Sequence, residues 1–208
     1  MSINLQFSEL IQRYPQLKSC QKEVILSIEK ILECFSGGGK LIAFGNGGSS
    51  ADAEHFCGEL QKSFILDRPL KAEVKEKIEK IDSRLALTLE TGLPAFALSG
   101  MHGSQSAISN DISFEDTMAQ QILALGKEGD IAVGFSTSGN SQNVVNALKV
   151  AKALNLVTIS FTGEKESQCS QFSDMNIRVP ETVTHKVQEL HLPIYHAICM
   201  EIEKVLFS

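Results

Sequence analysis

Short apolar runs alternate along this chain with longer segments in which apolar residues recur every three or four positions. Glycine, proline or polar turn residues bound each run, a pattern typical of buried strands. The predicted strands are LIAF (41–44), LPAFALS (93–99), DIAVGF (130–135), LVTISFTG (156–163) and MNIRVP (175–180). Strands that alternate with helices favour right-handed crossovers and a mostly parallel sheet covered on both faces. The pattern therefore predicts a three-layer α/β/α fold with a five-stranded parallel sheet.

The remaining helical segments lie outside this alternation. Two helices are predicted in residues 3–35 with a break near Pro15, and we expect segment 1–36 to cover the sheet or to pair with another subunit. Residues 71–92 are charged and helical in pattern, so we expect them on the surface. A long helix is predicted at the C-terminal end, where Pro193 should disturb it by removing a backbone donor. No linker divides the chain, which indicates one domain over residues 1–208.

Composition narrows the function classes. The 208 residues are 43% hydrophobic, which is enough for a substantial core, and the formal net charge of -6 argues against broad nucleic-acid binding. Five scattered cysteines without a CxxC pair indicate reduced thiols in a cytoplasmic protein. We find no signal-peptide pattern and no apolar run near the roughly 18 residues of a membrane span. We therefore expect a cytoplasmic protein that binds neither membrane nor nucleic acid.

Loops at the carboxyl ends of the strands are the candidate ligand site of such a sheet. The candidates are GNGGSS, SGMHGSQSAISND, STSGNS and TGEK. The stretch GFSTSGNS (134–141) has four hydroxyls and no cation at a strand-to-helix junction. Rotatable hydroxyls and the free N–H groups of a helix start can hold a tetrahedral anion. One serine would suffice to cap the helix, so four hydroxyls favour phosphate binding over a simple capped turn.

GNGGSS (45–50) is a second glycine-rich turn between a strand and a helix. It has neither the GxGxxG spacing of a dinucleotide site nor the GK[ST] of a P-loop. We therefore expect no nucleotide cofactor, and a nucleotide-binding α/β protein is the least favoured interpretation. Its glycines allow a close approach to a ligand, although a tight turn alone would also explain them.

Two polar clusters have spacings that suit chemistry. His55 and Glu59 are four residues apart and share a helix face. This spacing suits two metal ligands or a base with its orienting partner, and an exposed polar pair would also explain it. The last predicted helix contains a second cluster. Its members are His185, Gln188, Glu189, His191 and His196. Spacing alone pairs Gln188 with His191 and does not single out His196, which lies about 80° around an ideal helix from Gln188.

Several of these motifs occur together, in an order that resembles the SIS (sugar isomerase) domain family and its phosphoheptose isomerase branch. The matching pieces cover most of residues 35–205. They are GNGGSSADAEHFCGEL, SND (109–111), GDIAVGFSTSGNSQNVVNALKVAK, TISFTGE and QELHLPIYH. The QE-x-H-x4-H pattern at the end narrows the resemblance to the phosphoheptose isomerase branch.

The resemblance implies a role for each matched residue. It implies that Ser136, Thr137, Ser138 and Ser141 hold a sugar phosphate. The implied contacts to the sugar chain are Asn46, Gly47, Gly48, Ser49, Asn110, Asp111 and Gln188. The implied zinc ligands are His55, Glu59, Gln188 and His196, so the resemblance selects His196 over His191. Glu59 would act as the base and His196 as its acid partner.

The implied reaction is an aldose–ketose isomerisation, of sedoheptulose 7-phosphate to D-glycero-D-manno-heptose 7-phosphate. The resemblance also implies a homotetramer with active sites at subunit interfaces, in which ligands on the two helices could come from different subunits. A carboxylate bound to zinc is a poorer base, so the metal and base roles of Glu59 compete.

Two features depart from the family pattern. Ser63 stands where the family commonly has an arginine, and the adjacent Lys62 would point about 100° away on a helix. Segment 70–92 is longer than the family's usual connection. Because of these two departures, the substrate could instead be a related sugar phosphate. The alternative function is a non-catalytic sugar-phosphate sensor or a regulatory protein that binds the replication initiator. Such a protein would not need Glu59 and His196.

Overall fold

The computed structural model describes residues 5–208, with side chains from residue 8 onward, and contains one five-stranded sheet. Residues 1–4, where the predicted N-terminal segment 1–36 begins, lie outside the described residues. The strands are β1 (Leu41–Gly45), β2 (Ala95–Ala97), β3 (Ile131–Phe135), β4 (Val157–Thr162) and β5 (Met175–Arg178). They are parallel in the order β2-β1-β3-β4-β5, which confirms the predicted sheet.

Helices cover both faces of this sheet. They are α1 (Leu5–Arg13), α2 (Gln21–Ser36), α3 (Gly48–Gln61), α4 (Ala72–Glu79), α5 (Ser83–Thr88), α6 (His102–Asp111), α7 (Thr117–Leu125), α8 (Gln142–Ala153), α9 (Gln168–Gln171) and α10 (Thr184–Phe207). Because side chains alternate along a strand, Leu41 and Ala43 pack toward α2, α3 and α10, whereas Ile42 and Phe44 pack toward α7 and α8. The three predicted layers are therefore present.

The N-terminal helices pack on the body of the fold. Pro15 opens a 3-10 helix, Pro15–Cys20, which separates α1 from α2 near the predicted break. Helix α2 contacts β5 and α10, and α1 contacts α10. Helix α2 thus lies against β5 at one edge of the sheet, and pairing of this segment with another subunit stays a prediction.

Helix α10 is the predicted long C-terminal helix with its internal proline, whereas two other local expectations were wrong. Helix α10 continues through Pro193, because its apolar face is buried on both sides of the proline, with Val187 and Ile194 fully buried. The predicted loop SGMHGSQSAISND contains helix α6 instead of open chain. Strand β2 is shorter than LPAFALS, because the chain turns into a 3-10 helix at Leu98–Gly100.

The charged segment 71–92 forms a helical hairpin on the surface, as predicted. Helix α4 buries no side chain and α5 buries only Ala86. The two helices contact mainly each other. An antiparallel bridge between Pro69 and Glu90 closes the base of the hairpin, together with a bond from Thr91 N–H to the Arg68 carbonyl.

Within residues 5–208, no helix has the length and apolar character that a membrane span requires.

Candidate active site

The candidate site residues gather at the two ends of helix α3. Glycine-rich and hydroxyl-rich loops lie at its N-terminal end, beyond β1 and β3. An acid–base cluster lies near its C-terminal end. We call these the anion loop (Ser136–Ser141) and the histidine cluster (His55, Glu59 and His196).

Hydroxyls of the anion loop bond within the loop, where Ser138 Oγ accepts from Asn140 N–H at 3.2 Å, and Ser141 does not cap helix α8. Gly139 has φ 65°, a conformation that glycine adopts without strain, and a Cβ there would lie 2.1 Å from Ser167 Oγ. Ser141 stands at the N-cap of α8 but makes no side-chain capping bond, and its hydroxyl instead accepts from Ser136 at 3.0 Å. Ser141 therefore does not cap helix α8. This favours anion binding at the start of α8 over a simple capped turn.

The GNGGSS loop is joined to the anion loop by an amide pair. Asn46 Nδ2 donates to Asn143 Oδ1 at 2.8 Å, and Asn143 Nδ2 donates to Asn46 Oδ1 at 2.9 Å. Gly47 has φ 55° at the N-cap of α3. Asn46, which the sequence suggested as a sugar contact, thus also fixes the distance between the two loops. Asn143 has no local sequence signal and was missed.

A cavity of about 540 Å³ opens beside Asn46 and Gly47, and α6 forms its far wall. His102, Ser106 and Ser109 line it. The neighbouring Asn110 and Asp111 are exposed at the end of α6, where Asn110 Nδ2 donates to Asp111 Oδ1 at 2.8 Å. The cavity lining does not include these two predicted sugar contacts.

The histidine cluster comes together within one chain. His55 Nε2 lies 3.2 Å from Glu59 Oε1 and 3.4 Å from His196 Nε2. Residues of the first and last core helices therefore meet without a second subunit. Burial and the charge of His55 lower the pKa of His196, although Glu59 opposes this, so the His196 ring is neutral near pH 7.

Tyr195 orients the ring of His55. The Tyr195 hydroxyl lies 3.3 Å from Asp52 Oδ1 and 3.0 Å from His55 Nδ1. When the hydroxyl donates to Asp52, its oxygen accepts from Nδ1–H, which leaves the lone pair of Nε2 facing Glu59 and His196. Burial raises the pKa of Asp52 to about 6, against the opposing effects of Tyr195 and His55. Tyr195 and Asp52 were not expected from the sequence.

Lys62 contacts Glu59, a contact that was not expected from the sequence. Helix α3 ends at Gln61, and Lys62 has extended backbone angles of φ -140° and ψ 175°. Its side chain therefore folds back, and Nζ donates to Glu59 Oε2 at 2.8 Å. Partial burial alone would raise the pKa of Glu59, but the hydrogen bond and charge of Lys62, with the smaller effect of His55, leave that pKa below its usual range.

A buried ion pair holds the chain segment that follows Lys62. The side chains of Arg68 and Glu203 are both fully buried, and Arg68 Nε donates to Glu203 Oε1 at 2.7 Å. Arg68 also donates to the carbonyls of Leu60 and Glu59 at the end of α3. Glu203 accepts the backbone N–H groups of residues 64–66 as well. These bonds fix the helix end that carries Glu59.

The other polar residues of α10 have different surroundings. Gln188 approaches Gly48, where an added Cβ would lie 2.6 Å from Gln188 Nε2. Gln188 therefore lies at the anion-loop end of α3. His55 lies about 10 Å further along that helix. His191 is fully buried, with Nε2 3.3 Å from the Thr162 carbonyl, and burial lowers its pKa to about 4. His185 and Glu189 are exposed.

The donor set of the histidine cluster suits zinc in its chemistry. Two neutral imidazole nitrogens and a carboxylate oxygen are common zinc ligands, and a tetrahedral ion at about 2.0–2.1 Å separates neighbouring ligand atoms by about 3.3–3.4 Å. The two measured separations are close to this value. Even so, no group of three or more His, Cys, Asp or Glu side chains in the described part of the chain is arranged to hold a metal ion. Zinc therefore stays a proposal.

Comparisons with known proteins agree with the fold and the loops. A family model described as "SIS domain" matches residues 103–200. A phosphoheptose isomerase from Shewanella sp. (strain ANA-3) is 35% identical over 205 residues, which are 97% of this chain and 93% of that protein. The structure of phosphoheptose isomerase GmhA from Neisseria gonorrhoeae has a TM-score of 0.75, with 31% identity and 95% of both chains covered. A phosphoheptose isomerase from Francisella tularensis has a TM-score of 0.77 with 28% identity, and covers 95% of this chain and 94% of its own.

The fold and the hydroxyl-rich loop thus define a SIS domain protein. At this identity and coverage, the chain belongs to the SIS family and, within it, to the phosphoheptose isomerase-like proteins.

Proposed function

We propose that this protein isomerises a sugar phosphate between its ketose and aldose forms, with sedoheptulose 7-phosphate as the first candidate substrate. The observation that carries the proposal is the meeting of His55, Glu59 and His196, in a chain whose anion loop places four hydroxyls at the start of α8 without using Ser141 to cap it. A protein that only senses a sugar phosphate needs the loop but not the cluster. The 35% identity to phosphoheptose isomerases supports the same reaction.

Glu59 transfers the proton at carbon, and His196 transfers protons at the substrate oxygens. Glu59, with its lowered pKa, is ionised near neutral pH and takes the proton from the carbon next to the carbonyl. The electron pair of that C–H bond forms a C=C bond, and the carbonyl oxygen takes a proton from the N–H of His196. In the enediol, Glu59 returns its proton to the former carbonyl carbon, while the hydroxyl on the neighbouring carbon gives its proton back to His196 and becomes the new carbonyl. The neutral His196 ring has one donor and one acceptor, so it can move a proton between the two substrate oxygens.

The anion loop holds the phosphate through hydroxyls and backbone. Ser136, Thr137, Ser138 and Ser141 supply rotatable donors, and the start of α8 supplies positive potential. A bound metal would be held by His55, Glu59 and His196, and it would stabilise negative charge on the substrate oxygens.

In one chain, the anion loop and the histidine cluster lie toward opposite ends of α3. Helix α3 extends about 16 Å from Gly48 to Glu59. At about 1.2 Å per bond, an extended seven-carbon ketose phosphate spans about 9 Å from phosphorus to its carbonyl carbon. We propose that the protein is a homo-oligomer, in which one subunit supplies the anion loop with Gln188 and a second supplies the histidine cluster.

The function is tested by incubating the purified protein with a panel of C5–C7 ketose and aldose phosphates and following interconversion. We expect turnover of at least one substrate, slowed by a chelator and lost in Glu59→Gln. His185→Gln is the matched control, because His185 is exposed and outside the cluster. Binding of sugar phosphates without any turnover would instead establish a sensor.

A further inference from the structure

Lys62 is the only lysine or arginine whose side chain forms an ion pair with Glu59 in the described part of the chain. We propose that Lys62 is a catalytic residue, whose ammonium group neutralises the substrate oxygen that becomes negative as Glu59 takes the proton from carbon. This role rests on the proposed function and adds a residue to its machinery. It follows from where Lys62 lies, what holds it there, and how charge moves during the step.

The position of Lys62 is set by the end of α3. The extended backbone at Lys62 turns its side chain back toward the helix, so that Nζ lies 2.8 Å from Glu59 Oε2 and 3.0 Å from the Ser63 carbonyl. Glu59 thus faces His55 through Oε1 and Lys62 through Oε2. The Lys62 side chain is 60% exposed and that of Glu59 is 14% exposed, so the ammonium group lies on the open side of the carboxylate.

The turn after Lys62 is fixed by two distant carboxylates. Ser63 N–H donates at 2.9 Å to Oε2 of Glu90, which lies at the base of the α4–α5 hairpin. Glu203 accepts the next three backbone N–H groups, and Arg68 N–H donates to the Ser63 hydroxyl at 3.2 Å. Ser63, where the family commonly has an arginine, is therefore part of the turn that directs Lys62 toward Glu59.

Charge moves from Glu59 to the substrate during the reaction. When the carboxylate takes the proton, it becomes neutral, and the electron pair left on carbon delocalises so that the carbonyl oxygen carries the negative charge of an enediolate until His196 protonates it. Lysine has three N–H donors on a flexible stem, and two of them point to Glu59 and to the Ser63 carbonyl. The third can bond the enediolate oxygen, so the ammonium group stabilises the negative charge before and after it moves. Loss of one such donor in other enzymes slows catalysis by about 10²–10³-fold.

The test compares Lys62→Met, Lys62→Arg and the control Lys80→Met, which removes an exposed lysine from the end of α4. We expect Lys62→Met to lower kcat by at least about tenfold. Lys62→Arg should restore most of kcat, and Lys80→Met should match the wild type. Thermal unfolding of each variant checks that the fold is kept.

A second measurement separates catalysis from binding. A phosphorylated sugar alcohol has the phosphate and hydroxyls of the substrate but no carbonyl, so it cannot form an enediolate. We expect Lys62→Met to bind it within about threefold of the wild type, because the change concerns the reacting oxygen alone. An unchanged kcat in Lys62→Met would overturn the role, and so would a loss of kcat matched by an equal loss of alcohol binding. Wild-type protein without turnover would overturn the proposed function itself.

Discussion

At the scale of single residues, Arg68 has the largest structural role near the candidate site. Its guanidinium group joins the Glu203 carboxylate to the last carbonyls of α3, and both side chains are fully buried. Burial alone would raise the pKa of Glu203, but three backbone donors and Arg68 hold it below its usual range. A charge kept in the core this way depends on every one of its partners.

Replacing Arg68 by methionine should therefore destabilise the protein by about 3–5 kcal/mol, since Glu203 would remain buried without its partner. The matched control is Arg178→Met, because Arg178 pairs with Glu166 at the surface, where a salt bridge contributes at most about 1 kcal/mol. Unfolding in urea measures both free energies. Equal effects of the two substitutions would show that the buried pair does not hold the α3 end.

Most of the site residues that the sequence missed act through contacts without a local signal. Asn143 meets Asn46 across 97 positions, and Tyr195 meets His55 across 140. The contact of Lys62 with Glu59 was missed for another reason, since it depends on the end of α3 at Gln61 and the extended backbone at Lys62. The motif residues His55, Glu59 and His196 were matched by resemblance, but only the fold shows that they meet within one chain.

At the scale of elements, the α4–α5 hairpin stands apart from the core. Its helices bury one side chain between them, and Ile81 and Leu87 are 88% and 76% exposed. The Pro69–Glu90 bridge already brings the two ends of the hairpin together. The hairpin therefore adds little to the stability of the fold, and the Glu90 contact to Ser63 at its base is its main connection to the site.

Replacing residues 71–88 by two glycines should leave a folded protein, with a melting temperature within a few degrees of the wild type. The deletion removes almost no buried surface and shortens a loop, and the remaining four-residue connection suits an antiparallel pair. Circular dichroism and thermal unfolding measure the outcome. Loss of cooperative unfolding would mean that α4 and α5 support the core.

The strands were predictable because each is a short apolar run that ends in a polar turn. Helix α6 was not, because its sequence HGSQSAISND has no apolar stripe and none of its residues is buried. Helix α10 was predicted with Pro193 inside it, and burial of the flanking residues on the core outweighs the local preference against proline in a helix.

At the scale of the whole molecule, the anion loop and the histidine cluster lie toward opposite ends of α3, which supports the proposal that two subunits share each site. About 16 Å of α3 lies between Gly48 and Glu59. A closed symmetric oligomer can bring the loop of one copy to the cluster of the next.

Mixing two inactive variants tests this arrangement. Glu59→Gln removes the base, and a Ser138→Ala/Ser141→Ala variant weakens the anion loop. If each site uses both subunits, co-refolded mixtures should recover up to about a quarter of wild-type activity, since one pairing in four joins an intact loop to an intact cluster. No recovery in mixtures that form hetero-oligomers would show that a single chain supplies the whole site.

The central claim is that Glu59 moves a proton on the carbon next to the carbonyl of a sugar phosphate. The most direct measurement is deuterium incorporation from D₂O at that carbon, followed by NMR with sedoheptulose 7-phosphate and its C5–C7 relatives. We predict incorporation with wild-type protein, none above background with Glu59→Gln, and normal incorporation with His185→Gln. Incorporation that persists in Glu59→Gln would contradict the assignment of the base. Its absence from every substrate that the wild type binds would contradict the isomerase itself.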